Sequence, residues 1–204
     1  MQIPTPPLTG NSVFDEWVQK LVAYLERPQW EDLRTPLTTA KIPAANFPGL
    51  EQVKDDGAAS IGAFAYHFAD GQYMFLTVQM PHSWKEGSTV YPHIHFMTTT
   101  DVSPADNFGI GLEYIWQNED AVATATSAIE IDISTGVNSS YKHQEANLSS
   151  TGISGTGKTM SSTFIARLYR QAADTDNYAG DVIITEFDIH YQRHTRGSRG
   201  ITTK

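Results

Sequence analysis

Two hydrophobic periods divide this chain. Between Phe14 and Leu25 the apolar residues Phe14, Trp17, Val18, Leu21, Val22 and Leu25 recur every three to four positions, which predicts one amphipathic helix. Ser12 with Asp15 three residues later resembles a capping box with Asp in place of Glu, and Pro28 stops the helix. From about Ile61 the period becomes two. Met74, Leu76, Val78 and Met80 alternate with polar neighbours, as do Ile110, Leu112, Tyr114 and Trp116, then Ile129, Ile131 and Ile133. Expected strands cover 61–69, 72–80, 89–99, 109–117, 127–133, 159–170 and 181–193, with a further one near 138–148. Asp70-Gly71 suits a tight type I′ hairpin between the first two.

Short strands, turn-rich connections and no intervening helical period predict an all-β fold. The expected architecture is an antiparallel β-sandwich of the jelly-roll kind, preceded by the helix and a Pro-rich extended arm. Seven of the ten prolines lie in the first 48 residues. Pro36, Pro43 and Pro48 make the stretch after the helix too broken for a central strand and too apolar for an idle linker. Such a segment is expected to lie extended along another surface, and the helix either to plug its own domain or to dock on a partner subunit. The expected organisation is an arm over 1–58, a sandwich body over 59–193 and a basic tail over 194–204. Ser/Thr/Gly-rich segments 134–140 and 148–159 read as loops.

Composition narrows the function. With 204 residues, 40% of them hydrophobic, the chain can bury a proper core. No run of about 18 apolar residues occurs, so no membrane span is expected. MQIPTPPLTG has neither a basic n-region nor an apolar h-region, so no secretory signal is expected. Zero cysteines remove disulfides, thiolate metal sites and thiol catalysis together. A net charge of −9 disfavours nucleic acid as a partner. The exception is RHTRGSRGITTK at 193–204, which has Arg193, Arg196, Arg199 and Lys204 and no acid. It is either a solvated tail or an arm for an acidic surface.

Three motifs carry candidate chemistry. GISGTGKT at 152–159 satisfies the phosphate-loop pattern, but QEANLSS before it is no strand and too little chain follows for the parallel sheet that pattern serves. A Gly/Ser turn leading into a strand is the expectation. Second, on a strand Tyr91, His93, His95 and Met97 share one face, while Glu186, Asp188, His190 and Gln192 oppose Ile183, Phe187, Ile189 and Tyr191. If the two polar faces sit side by side, His93, His95 and His190 with Glu186 or Asp188 have the composition of an Fe, Mn or Zn site. Gly87, five residues, then His93-x-His95 begins like a cupin, but neither the following Glu nor the second cupin motif is present. The expectation is therefore polar, half-exposed strand faces with no metal or other cofactor. Third, His82, Ser83 and the carboxylates form no recognisable hydrolytic set, and Glu130 and Asp132 read as solubilising.

PQWEDLRTP (28–36), MPHSWKEGSTVYPHIHF (80–96), GTGK (155–158) before a strand and EFDIHYQRHTRGSR (186–199) resemble a group of tailed-bacteriophage virion proteins of roughly 200 residues. The resemblance covers most of the chain after residue 28. It implies virion assembly without catalysis. Phage decoration, or cement, proteins are similar in outline: jelly-roll body, extended arms, trimers. The expectation is a homotrimer, made in the bacterial cytoplasm, that binds the major capsid protein and stabilises the shell from the capsid surface. Trp17, Leu21, Trp30, Arg34, Arg193, Arg196 and Arg199 are the expected partner-binding residues. A tail component, such as a fibre head, needle tip or carbohydrate-binding knob, is the alternative, with Tyr66, Tyr73, Trp84, Tyr91 and Trp116 as sugar-stacking residues. A cupin-like metalloenzyme using His93, His95 and His190 is the more distant one.

Overall fold

The computed structural model describes residues 11–25, 27, 29–54, 62–103, 106–134, 136, 138–171 and 177–194. Helix α1 (Asn11–Leu25) is followed by β1 (Gln29–Pro36), a 3-10 turn (Leu37–Thr39), β2 (Gly49–Gln52), β3 (Phe64–Phe68), β4 (Tyr73–Gln79) and β5 (Val90–Thr98). Then come β6 (Asn107–Gln117), β7 (Ser127–Ser134), β8 (Gln144–Asn147), β9 (Thr163–Arg170) and β10 (Val182–Arg193). They build an antiparallel β-sandwich. One sheet runs β2-β3-β10-β5-β8, with β1 also paired to β10, and the other runs β4-β9-β6-β7.

Alternation explains the core. Ile94 and Phe96 of β5 and Phe187 and Ile189 of β10 point inward from the first sheet, against Leu76, Leu112, Phe164 and Leu168 of the second, and all are buried. Phe96 and Phe108 meet edge-on across the sheets at 5.3 Å. The strands expected from period-two patterning are all present. Two were not foreseen, β1 and β2, which fall in the Pro-rich segment. That segment lies extended, but along its own chain: β1 is antiparallel to β10 from Gln29↔Arg193 to Pro36↔Glu186, and Lys41 bridges Phe75 of the second sheet. Pro36 is tolerated because it ends an edge strand.

The Asp70-Gly71 hairpin is corrected. β3 pairs with β2 and β10, whereas β4 pairs with β9 in the other sheet, so the turn is a corner between sheets. Gly71 alone has positive φ, 72°, where a type I′ turn needs two such residues. A buried cation holds this corner. Arg170, at the end of β9, donates to the carbonyls of Phe68 (3.0 Å), Gly180 (2.6 Å) and Tyr178 (2.6 Å), and contacts Asp70 Oδ1 at 3.0 Å. Its fork thus gathers three carbonyls at the corner between the sheets.

Helix α1 stands apart from this economy. Trp17, Val18, Leu21 and Tyr24 are half-buried, while Val13 (47%), Phe14 (52%) and Val22 (43%) stay exposed. Phe14 packs on Trp17 at 5.9 Å, and Lys20 pairs with Glu16 one turn away. No helix among the described residues is long and apolar enough to cross a membrane.

Replacing Arg170 by Leu strands buried carbonyls and is expected to lower the unfolding free energy by about 3 kcal/mol or more. Asp70→Asn touches only the half-exposed partner and should cost about 1 kcal/mol or less. Urea titration of both variants measures the difference; equal losses would show that the carbonyl contacts contribute little.

Candidate functional site

One residue decides which way the polar side of β10 faces. Val182 and Ile184 point into the core, and strict alternation from there would send Glu186, Asp188 and His190 inward as well. Between Ile184 and Glu186 the register against β5 slips: Ile184 pairs with Phe96, but Glu186 pairs with His95, so Thr185 is an extra residue. This bulge returns Phe187, Ile189 and Tyr191 to the core and turns the polar row outward. Thr185 Oγ1 fixes it by donating to the carbonyl of His95 at 3.1 Å. Ile183, expected on the side of Phe187, therefore lies opposite to it, paired with Met97 and His67.

Register then assembles the site in ranks across the sheet. Arg34, Asp188, His93 and Asn147 stand in line on β1, β10, β5 and β8; Pro36, Glu186, His95 and Glu145 form the next rank; Asp32, His190 and Tyr91 the one on the other side. The two polar faces do sit side by side, as the histidine spacing allowed. The expectation of half-exposed faces is corrected, because His93 and Asp188 are each only 1% exposed.

The contacts divide into two kinds. His190 Nε2 and Asp32 Oδ1 are 2.7 Å apart, a short charge-assisted pairing at the surface. Asp188 Oδ2 lies 3.4 Å from His93 Nε2 and 3.2 Å from His95 Nε2, yet neither Asp188 oxygen nor His93 Nδ1 has a hydrogen-bond partner. His93 packs edge-on against His190 at 4.0 Å and against His95 at 5.2 Å, and the His95 and His143 rings are parallel with centroids 5.1 Å apart. His95 Nδ1 and His143 Nε2 are hydrogen-bonded at 3.1 Å. Burial works against a charge on His93, but the Asp188 carboxylate, reinforced by Glu145 and Asp32, outweighs it and holds the imidazole above its ordinary range. Two sets of three ligand atoms lie close enough for one cation: His93, His95 and Asp188, and Asp32, His93 and His190. Both sit on the outer face of the sheet, whereas the cupin likeness places such residues inside a barrel.

Asp32, His143 and Glu145 were missed from sequence. Asp32 sits in the Pro-rich segment between Trp30 and Arg34 and shares their parity; His143, Glu145 and Asn147 alternate, a signal too short to place without its partner strand.

The other expected residues fall elsewhere. Trp30 is half exposed and leans edge-on against Tyr91 at 5.6 Å, and exposed Arg34 approaches Glu186 at 3.9 Å. Arg193 lies 3.4 Å from Glu31, which also accepts the Tyr191 hydroxyl. Trp17 and Leu21 share the half-buried side of α1. Arg196 and Arg199 lie outside the described residues. Sugar stacking on Trp84 and Trp116 is corrected: both are buried, 5.4 Å apart, with Phe164 against Trp116, and Tyr66 is buried too. The loop carrying Trp84 folds inward because its backbone bridges Arg193 and Gly155 leaves room for the indole; a Cβ there would sit 2.2 Å from the Ser88 carbonyl and 2.7 Å from Trp84 Cζ2. This is what the phosphate-loop pattern serves here. Lys158 donates to the Trp116 carbonyl at 2.6 Å, and residues 152–159 lead into β9 with no helix. His82 bonds Ser161, and Ser83 bonds Tyr191.

Comparison with known proteins finds distant structural likenesses. No family model matches the chain. No curated protein matches it either. Among solved structures, it is similar to that of infectious bursal disease virus Gx strain, with 8% identity and TM-score 0.36 over 84% of this chain and 33% of the other. The chain spans about a third of that protein's length. It is also similar to the family 30 carbohydrate-binding module of Clostridium thermocellum cellulosomal cellulase Cel9D-Cel44B, with 10% identity and TM-score 0.39 over 78% and 96% of the two chains. A likeness to Desmodium yellow mottle tymovirus covers 95% of this chain and 90% of the other, at 12% identity and TM-score 0.17. Nothing below rests on these likenesses.

Deleting Thr185 removes the extra residue and leaves Ile184 against Phe96 and Glu186 against His95 in regular alternation, so Asp188 and His190 keep their outward face and the variant is expected to fold. Thr185→Val removes only one hydrogen bond and should cost about 1 kcal/mol. Size exclusion and near-ultraviolet circular dichroism check both variants; a deletion variant that fails to fold would show that Thr185 is more than the extra residue of the bulge.

Proposed function

We propose that the protein is a non-enzymatic virion component, a homotrimeric cement protein that stabilises a phage shell by binding its major capsid protein. The observation that carries this reading is the uncovered apolar stripe of α1. Val13, Phe14 and Val22 are about half exposed beside Trp17 and Leu21, on a helix ahead of a well-packed sandwich. Full burial of each half-exposed side chain stabilises by roughly 1 kcal/mol, so three helices packed about a threefold axis recover several. The body supports the same reading. Phe75 and Ile165 are exposed on the outer face of the second sheet, and Ile42, Phe47, Leu50 and Phe64 along β2, β3 and the β1–β2 connection, so apolar surface is spread over several faces. The phage resemblance of residues 28–36, 80–96 and 186–199 supplies the setting. The acidic body with its basic C-terminal run, Arg193, Arg196 and Arg199, supplies charge complementarity toward copies of itself and toward a shell. Trp30 and Arg34 on β1 offer an aromatic and a guanidinium of the kind that anchors interfaces.

Native mass spectrometry of the full chain should give a trimer, and Phe14→Glu with Trp17→Glu should shift it to monomer while near-ultraviolet circular dichroism of the sandwich is kept. Particles lacking the protein should bind the wild type and lose most of that binding with the double variant. A wild-type monomer, or unchanged shell occupancy of the variant, would sink the proposal. A trimer that ignores shells but binds tails would move it to the tail.

A further inference from the structure

We propose that His93, His95 and Asp188 form a site for one divalent transition-metal ion of the zinc class on the outer face of the larger sheet. Three observations converge. First, Asp188 is a fully buried carboxylate with no hydrogen bond to either oxygen, and His93 turns Nε2 toward it from 3.4 Å. A buried carboxylate left in that condition is costly, and a bound cation removes the cost. Second, the separations suit ligands better than hydrogen bonds. Charge-assisted N–H···O contacts are about 2.7–2.9 Å long. Zinc bonds of about 2.0–2.1 Å in a tetrahedron place neighbouring ligand atoms about 3.3–3.4 Å apart. The observed edges are 3.4 Å, His93 Nε2 to Asp188 Oδ2, and 3.2 Å, His95 Nε2 to Asp188 Oδ2.

Third, His95 Nδ1 is engaged by His143, which leaves Nε2 to face Asp188. If its Nδ1–H donates to His143 Nε2, across 3.1 Å, then Nε2 carries the lone pair that faces Asp188. A ligating histidine whose other nitrogen is held in this way is the usual outer-shell arrangement of metal sites. The competing set of Asp32, His93 and His190 is less suited, because Asp32 and His190 already satisfy each other at 2.7 Å. Two histidines and one carboxylate leave a fourth position toward solvent, on the side where His95 is 23% exposed. The ion ties β10 to β5 next to the edge strand β1, so its role is to stiffen the sheet; no catalysis is assigned to it.

The test uses the full chain, stripped with chelator and dialysed against buffered free Zn²⁺, with bound metal counted by mass spectrometry and Co²⁺ as a spectroscopic probe. The wild type should hold one metal per chain, show the intense visible bands of tetrahedral Co²⁺, and melt at higher temperature with Zn²⁺ than without. His95→Gln, at a partly exposed position, should lose stoichiometric metal with its circular dichroism unchanged. His143→Ala, at an exposed position, should weaken affinity roughly 10–100-fold and keeps the test open if the first variant misfolds. Asp32→Asn and His190→Gln should leave metal content unchanged. A wild type that retains no metal, retention by His95→Gln, no effect of His143→Ala, or loss on His190→Gln would each overturn the assignment. The trimer and shell measurements are independent of this result.

Discussion

Everything on the outer face of the larger sheet depends on the bulge at Thr185. β10 is the longest strand and pairs on one edge with β1 and β3 and on the other with β5, so its parity is imposed on three neighbours. A one-residue slip inverts every side chain beyond it. With the bulge, apolar Phe187, Ile189 and Tyr191 join the core of Val182 and Ile184; without it that core would receive Asp188 and His190. The polar row is thus the complement of a packing requirement.

Several charged residues that look chemical in the sequence serve the ends of the sandwich. Arg170 gathers three carbonyls at the corner where β3 crosses into β4. Lys158, the would-be phosphate lysine, caps the carbonyl of Trp116 beneath a loop that Gly155 lets pack on Trp84. In both cases a long cation reaches main-chain oxygens at or just beyond strand ends. Asp188, with no such partner, differs from them.

Assembly and metal binding draw on separate parts of the chain. The helix stripe and the scattered apolar side chains concern partners, and His93, His95 and Asp188 concern the stiffness of the sheet that carries β1. Trp30 and Arg34 alternate with Asp32 along β1, so a sheet face made rigid at His93 also holds those two side chains at fixed height. A rigid platform limits the entropy lost when many shallow contacts form at once.

Local periodicity, by itself, determined the elements: the helix at 11–25 and the alternating strands from Phe64 to Arg193 follow from which residues are apolar and how far apart, because each element buries one side. It also set which histidines share a face on their own strand. Tertiary structure alone decided the rest. β1 was illegible because prolines mark it as broken, and only β10's open edge makes it a strand. The Asp70-Gly71 turn reads as a hairpin locally, but the choice of sheet lies with the partners of β3 and β4. Asp32, His143 and Glu145 come to the site from sequence positions far from His93, and the burial of Trp84 depends on Gly155 some seventy residues away. The physical reason is common to all four. Alternation fixes a side chain relative to its own strand, whereas register, bulge and sheet order fix strands relative to one another, and those are settled by non-local packing.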